Sequence, residues 1–171
     1  TVSVTDVNEA PVIESGKTGT VAENAAKSTV VYSAVASDVD AGDGITFSLD
    51  GADKDLVSID PSSGEVTLDS SANYEIKDSY SFDVIATDMD GLTDTQPVTV
   101  SVSDVNEAPT ISTGASGSVD ENAAKSTVVY SAVASDVDAG DGITFSVGGE
   151  DSSLVSIDPS SGEVTLDSSA N

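Results

Sequence analysis

Carboxylates carry whatever chemistry this chain has. The hexapeptide Asp6-Val7-Asn8-Glu9-Ala10-Pro11 returns 98 residues later as Asp104-Val105-Asn106-Glu107-Ala108-Pro109. The same offset relates Glu23-Asn24 to Glu121-Asn122, and Ser37-Asp38-Val39-Asp40-Ala41-Gly42-Asp43 to Ser135-Asp136-Val137-Asp138-Ala139-Gly140-Asp141. Clustered Asp, Glu and Asn side chains offer hard oxygen donors. Such donors suit Ca2+, which takes about 6–8 oxygens and tolerates irregular geometry, better than Mg2+, which wants near-octahedral sites. Histidine and cysteine are absent. That removes the usual transition-metal ligands, the Ser-His-Asp triad, the commonest general base, and any disulfide. Paired carboxylates also serve glycosidases, but acids repeated at every boundary point to structure rather than catalysis, and the chain reads as a non-enzyme.

The charge balance narrows the partners. Thirty-one acidic residues face 5 basic ones, for a net charge of −26. Nucleic acid and anionic lipid both call for Lys and Arg, so neither is expected. No apolar run approaches the roughly 18 residues of a membrane span. An acid-rich surface suited to saline surroundings would explain the charge, but not its clustering at fixed positions.

The repeat sets the organisation. Residues 1–73 and 99–171 align without a gap and differ at 13 positions (5, 12, 14, 15, 17, 18, 20, 22, 49, 50, 52, 54 and 55). Near-identical tandem copies indicate an array of modules of about 98 residues. Residues 1–10 are expected to be the last strand of a preceding module plus a linker, 11–104 a complete module, 105–109 a second linker, and 110–171 a module lacking its last two strands. The start inside a strand reads as an excised fragment of a longer chain.

Within the module, period-two alternation predicts strands. Val12-Ile13 and the stretch near Val21 form a broken first strand interrupted by Gly16 and Gly19. Residues 29–37 form a second, with ambiguous facing. Ile45, Phe47 and Leu49 alternate. Val57 and Ile59 turn through Asp60-Pro61-Ser62-Ser63-Gly64 to Val66 and Leu68. Tyr80, Phe82, Val84 and Ala86 alternate most strongly, and Val98, Val100 and Val102 close the module. About seven short strands without helical periodicity predict an all-β fold of tandem immunoglobulin-like Greek-key β-sandwiches. Aromatics are only 4%, so Val, Ile, Leu and Ala fill the core, with Tyr32, Tyr74 and Tyr80 at core or rim. Residues 110–171 lack copies of Phe82, Val84 and their partners. Each such side chain contributes roughly 1.5–3 kcal/mol when buried, so this segment is not expected to close a sandwich alone; strands from another chain, or a continuing chain, would have to complete it.

In such a sandwich Glu23 and Glu75 sit at one pole near Asp104, and Asp38, Asp40 and Asp88 at the other, near Asp6, Asn8 and Glu9. Neither Asp38 nor Asp88 opens an EF-hand, because the twelfth positions are Leu49 and Thr99 rather than Glu.

The motifs resemble those of the cadherin superfamily in its bacterial repeat-adhesin form. Glu23-Asn24 resembles that family's Glu-Asn motif and Asn73-Tyr74-Glu75 its Asp-Arg-Glu motif. Asp38-Val39-Asp40-Ala41-Gly42 resembles its Asp-x-Asp motif, Ala86-Thr87-Asp88 its Ala-x-Asp motif, and Asp104 to Pro109 its calcium-binding linker. The linker is one residue shorter than the animal pattern, with Glu107 in place of the second Asp, and Asn73 replaces an Asp. The resemblance implies cadherin-like modules, with Ca2+ at each linker stiffening a secreted, cell-surface rod whose partners are neighbouring identical repeats. It implies one ligand set of Asp6, Asn8, Glu9, Asp38, Asp40 and Asp88. It implies a second of Glu23, Glu75, Asp104, Asn106, Glu107, Asp136 and Asp138. Calcium-dependent recognition of a glycan, or of other modules, is the alternative function.

Overall fold

The computed structural model describes residues 1–40 and 42–170; Ala41 and Asn171 lie outside the described residues. The chain divides into two compact units, Thr1–Val105 and Asn106–Asn171.

The first unit carries β1 (Val12–Ile13), β2 (Thr18–Ala22), β3 (Val30–Ser33), β4 (Ala36–Ser37) and β5 (Thr46–Asp50). After a single 3-10 turn at Lys54–Leu56 come β6 (Val57–Ile59), β7 (Glu65–Leu68), β8 (Ser79–Thr87) and β9 (Thr93–Ser103). One sheet runs β2-β9-β8-β5, a second runs β3-β7-β6, and β1 pairs β4. This is the all-β sandwich that the alternation predicts. β2 lies parallel to β9, with Val21 opposite Val102, while β8 and β9 pair antiparallel from Ser79↔Ser101 to Thr87↔Thr93. The inward face of β8 holds Tyr80, Phe82, Val84 and Ala86, all buried, and β9 answers with Val98, Val100 and Val102. The Tyr32 ring from β3 meets Phe82 edge-on across the core, with centroids 6.4 Å apart. Tyr80 also lies in the core, whereas Tyr74 stays at the rim.

Two expectations from the sequence change. The strand expected over 29–37 splits into β3 and β4, which belong to different sheets. A bulge between Val30 and Tyr32 in the pairing with β7 resolves its ambiguous facing, because it turns both Val31 and Tyr32 inward while Val30 stays exposed. Gly19 does not interrupt a strand but sits inside β2. A Cβ there would lie 2.3 Å from the Val31 carbonyl oxygen of the facing sheet, so only glycine lets the backbones approach so closely. Residues 1–5 form no strand, and Val2 and Val4 are exposed. Their copies, Thr99–Ser103, owe their extended form to β2 and β8 on either side, and an unpaired run has no ladder to hold it.

The second unit carries β10 (Thr110–Ile111), β11 (Val128–Ser131), β12 (Ala134–Ser135), β13 (Val155–Ile157) and β14 (Glu163–Leu166). The sheet β11-β14-β13 repeats β3-β7-β6, bulge included, and β10-β12 repeats β1-β4. Residues 116–120 and 144–148, the copies of β2 and β5, form no strand. Their ladder partners in the first unit are β9 and β8, and residues 106–171 contain no copy of them. Val119 is accordingly exposed where Val21 is buried, and Tyr130 and Leu166 are half-buried where Tyr32 and Leu68 are buried. Gly117, Val119, Val129, Tyr130 and Leu166 line an open apolar groove of about 290 Å³.

Candidate metal centre

At one pole of the first unit, the period-two face of β8 runs one step past the strand. Phe82, Val84 and Ala86 point inward, and Asp88 is next in that alternation, so a carboxylate lands in a buried position. Burial raises its pKa, but hydrogen bonds reverse this and hold Asp88 below the usual carboxylate range. They come from Asn8 Nδ2 and from the backbone N–H groups of Leu92, Gly91 and Asp90. Asn8 donates to Asp88 Oδ2 at 2.8 Å, and Leu92 and Asp90 donate to Oδ1 at 2.8 and 3.0 Å.

The Asp-x-Asp segment follows β4. Asp38 Oδ1 accepts the Asp40 N–H at 2.9 Å, the self-capping turn that Asp favours. Asp40 Oδ2 in turn accepts the Glu9 N–H at 2.8 Å. The linker is thus tied to the unit at two points, Asn8 on Asp88 and Glu9 on Asp40. Asp6 is exposed.

Asp43 completes the cluster. Carboxylate oxygens of Asp38, Asp43 and Asp88 lie within 4.8 Å of one another. Asp38 Oδ2 and Asp43 Oδ2 are closed off from solvent and have no hydrogen-bond partner among the described residues. Burial, then the negative fields of Asp38, Asp90, Asp40 and Asp88, push the Asp43 carboxyl up. Unpaired buried anionic oxygens are costly, and a cation removes that cost. The donors here are all oxygens, so the residues fit a hard ion of the Ca2+ class.

The opposite pole is built around Glu23, which follows β2 and is 3% exposed. Its N–H donates to the Ser103 carbonyl at 2.9 Å. Its Oε1 accepts the Val105 N–H at 2.6 Å and its Oε2 the Tyr74 N–H at 3.1 Å. The Val105 bond is the main cause of its lowered pKa; burial opposes it, and Tyr74, Glu75 and Asp104 add to it. Glu23 therefore joins the ends of β2 and β9 to the Asn73-Tyr74-Glu75 segment. Asn73 Oδ1 accepts the Ile76 N–H at 2.9 Å, so this amide caps a turn.

The second unit repeats the linker pattern. Glu107 N–H donates to Asp138 Oδ2 at 2.7 Å, as Glu9 does to Asp40, and Asp138 N–H donates to Asp136 Oδ1 at 3.1 Å, as Asp40 does to Asp38. Asn106 Nδ2 donates to the Glu107 carbonyl at 2.9 Å.

Sequence reasoning gathers Asp6, Asn8, Glu9, Asp38, Asp40 and Asp88 at one pole and Glu23, Glu75 and Asp104 at the other; Asn8 meets Asp88, Glu9 meets Asp40, and Glu23 meets Glu75 and Asp104, while Asp6 is exposed. It passes over Asp43 and Asp90, although Asp43 closes the first copy of the repeated heptapeptide, whose second copy ends at Asp141.

Comparison with known proteins follows the same lines. A family model described as "Cadherin domain" matches residues 17–103. No curated protein matches the chain. Among solved structures, a mouse cadherin-23 fragment, EC22-24, is 29% identical over 95% of this chain and 55% of its own, with a TM-score of 0.63. Human protocadherin-24 EC1-2 is 25% identical over 95% of this chain and 81% of its own, with a TM-score of 0.75. Human CDH23 EC21-23 is 25% identical over 98% of this chain, with a TM-score of 0.74, and the chain spans 57% of its length. Sandwich topology, motif order and family match agree, and this chain belongs to the cadherin domain family.

Proposed function

We propose that this chain is a calcium-braced spacer from a large bacterial surface adhesin, whose repeats Ca2+ stiffens into a rod. Cadherin domains are extracellular adhesion modules rather than enzymes, and they generally bind Ca2+. Near-identical copies at a fixed 98-residue offset favour a spacer, in which every unit does the same job. The observation that carries the reading is the repeated anchoring of the linker. The same Glu N–H grips the same Asp-x-Asp carboxylate in each unit, Glu9 on Asp40 and Glu107 on Asp138.

The first ligand set is Asp6, Asn8, Glu9, Asp38, Asp40 and Asp88. Glu23, Glu75 and Asp104 belong to the second. Asn106, Glu107, Asp136 and Asp138 take in the second unit the parts of Asn8, Glu9, Asp38 and Asp40. Bound Ca2+ supplies the positive charge these clusters lack. The residues do the rest: Asp38 and Asp40 shape the turn, Asp88 holds the linker amide, and Glu9 fixes the linker backbone. With the carboxylates neutralised, the linker loses its reason to swing away.

The test is thermal unfolding of the chain at fixed ionic strength in Ca2+, in Mg2+ and in EDTA. At a hundredfold excess over Kd, each site adds about 2.7 kcal/mol, which in a module of this size raises Tm by about 10–20 °C. An unchanged Tm would remove the calcium reading and leave a statement about fold. An equal rise in Mg2+ would remove the selectivity.

A further inference from the structure

We propose that residues 1–5 of one copy of this chain dock as a parallel strand on residues 116–120 of a second copy, filling the open edge of its second unit. The same pairing exists within the first unit. There Thr99–Ser103 of β9 lies parallel to β2, with Thr18 opposite Thr99 and Val21 opposite Val102, and Val100 and Val102 are buried. Residues 1–5, Thr-Val-Ser-Val-Thr, are the repeat copy of Thr99–Ser103 and differ from it only at Thr5. Residues 116–120 are the repeat copy of β2. The offset therefore fixes the register: Thr1 opposite Ser116, Val2 opposite Gly117, Ser3 opposite Ser118 and Val4 opposite Val119.

Both halves of the pairing stand open. Val2 and Val4 are 96% and 94% exposed, and residues 1–5 form no strand. Residues 116–120 form no strand either, Val119 is exposed, and the groove of about 290 Å³ runs over Gly117, Val119, Tyr130 and Leu166. The acceptor keeps its shape without the strand. A Cβ on Gly117 would lie 2.2 Å from the Val129 carbonyl oxygen, as one on Gly19 would lie 2.3 Å from that of Val31. In the first unit Val100 covers Gly19, with its Cγ2 3.1 Å from that Cβ position, so Val2 is the side chain that covers Gly117. Charge permits the contact: in a chain of net charge −26, residues 1–5 and 115–119 carry no charged side chain. Main-chain hydrogen bonds along the edge supply affinity, and the two valines in the groove supply register.

Donor and acceptor leave the first unit from opposite poles. Asn8 and Glu9 hold the donor's linker at the Asp88 pole, while Val105, the link to the second unit, is held at the Glu23 pole. β9 runs between these poles over 11 residues, about 36 Å at about 3.3 Å per residue. The pairing is therefore between copies, each giving one strand and taking one, and the contact is head-to-tail.

The experiment is sedimentation velocity of the full chain over a range of concentrations, at fixed Ca2+ and at an ionic strength that screens the charge of the copies. Val4→Asp spoils the donor and Val119→Asp the acceptor. Both positions are exposed, so neither change should lower Tm. Wild type should associate as concentration rises. Each variant alone should associate at least about tenfold more weakly, because a carboxylate enters an apolar contact. An equimolar mixture of the two should recover the wild-type affinity and stop at a 1:1 pair, since Val4→Asp keeps a sound acceptor and Val119→Asp a sound donor. The chain has no cysteine, so register is read by cross-linking: Ser3→Cys mixed with Ser118→Cys should give a mixed disulfide, and Ser3→Cys mixed with the exposed Ser160→Cys should not. A wild type that stays monomeric at every concentration would overturn the proposal. So would variants that associate as strongly as wild type, a mixture no better than either variant alone, or equal cross-linking in both cysteine mixtures. The calcium reading stands or falls separately, on the unfolding experiment above.

Discussion

Phe82→Ala tests whether the β8 core positions the metal pole. Phe82 is 1% exposed, pairs with Val98 in the ladder, and takes the edge of Tyr32 from the facing sheet. The strand leads directly to Asp88, three steps further along the same inward face. A buried Phe→Ala change costs about 3–5 kcal/mol in lost transfer energy and residual cavity, of which the edge-on ring contact accounts for about 0.5–1.5 kcal/mol. A small domain has a margin of about 5–15 kcal/mol, so the first unit should lose a large share of its stability and more than about 12 °C in Tm. The second unit has no copy of Phe82 and should unfold unchanged. The assay is urea unfolding in Ca2+, followed by far-UV circular dichroism and tyrosine fluorescence, with Phe82→Leu as the milder variant. Ca2+ affinity measured below the unfolding transition should stay close to wild type, since no ligand is removed. A loss below about 1 kcal/mol would refute the close-packed core inferred for β8. Normal stability with abolished Ca2+ binding would refute the separation of core from site.

Other expectations follow from single contacts. Gly64 has φ +73°, and a Cβ there would lie 2.5 Å from the Ala34 carbonyl oxygen; Gly64→Ala should destabilise the first unit by about 1–3 kcal/mol or more in urea titration, and a neutral result would sink the close approach. Ser160 Oγ and the Ser161 and Ser160 N–H groups hold the Asp158 carboxyl at about 2, against an ordinary 3.8. Ser160→Ala should bring its NMR titration midpoint back toward 3.8, and an unmoved midpoint would discount that hydroxyl. Because the folded value is the lower one, Asp158 stabilises the second unit fully above about pH 4 and loses that contribution as pH falls toward 2. Asp88→Asn keeps the side-chain shape but removes the charge, and should abolish most of the Ca2+-induced rise in Tm; a full rise would remove Asp88 from the ligand set.

The fold was readable wherever one strong periodicity stood alone. Tyr80, Phe82, Val84 and Ala86 alternate without interruption, and they form the most buried strand. Residues 29–37 were not readable in this way, because Val30, Val31, Tyr32, Ala34 and Val35 offer apolar side chains to both faces. A bulge, fixed by pairing with β7, decides between them. Gly19 looks like a breaker in the sequence and is instead the point where two backbones nearly touch, a fact about the opposite sheet. The site divides in the same way. Glu23, Asp38, Asp40 and Asp88 sit in recognisable motifs. Asp43 belongs to none of them, and only its burial beside Asp38 and Asp88 singles it out.

The sequence by itself determined the module, its 98-residue period, its all-β class and the clustering of acids at the ends of strands. Those properties depend on local pattern and on repetition, and each copy carries them in full. The tertiary structure decided which copies of the same residues become strands. Residues 18–22 and 116–120 are repeat copies that share Gly and Val at the same places, yet the first stretch pairs with Thr99–Ser103 and forms β2, while the second, with no copy of that partner in its unit, forms no strand. A strand's hydrogen bonds are made by its neighbour, so its existence is a property of the pair. The same holds for Asp43 and Asp141: the residue is repeated, but the cluster that buries it forms only where Asp88 is present.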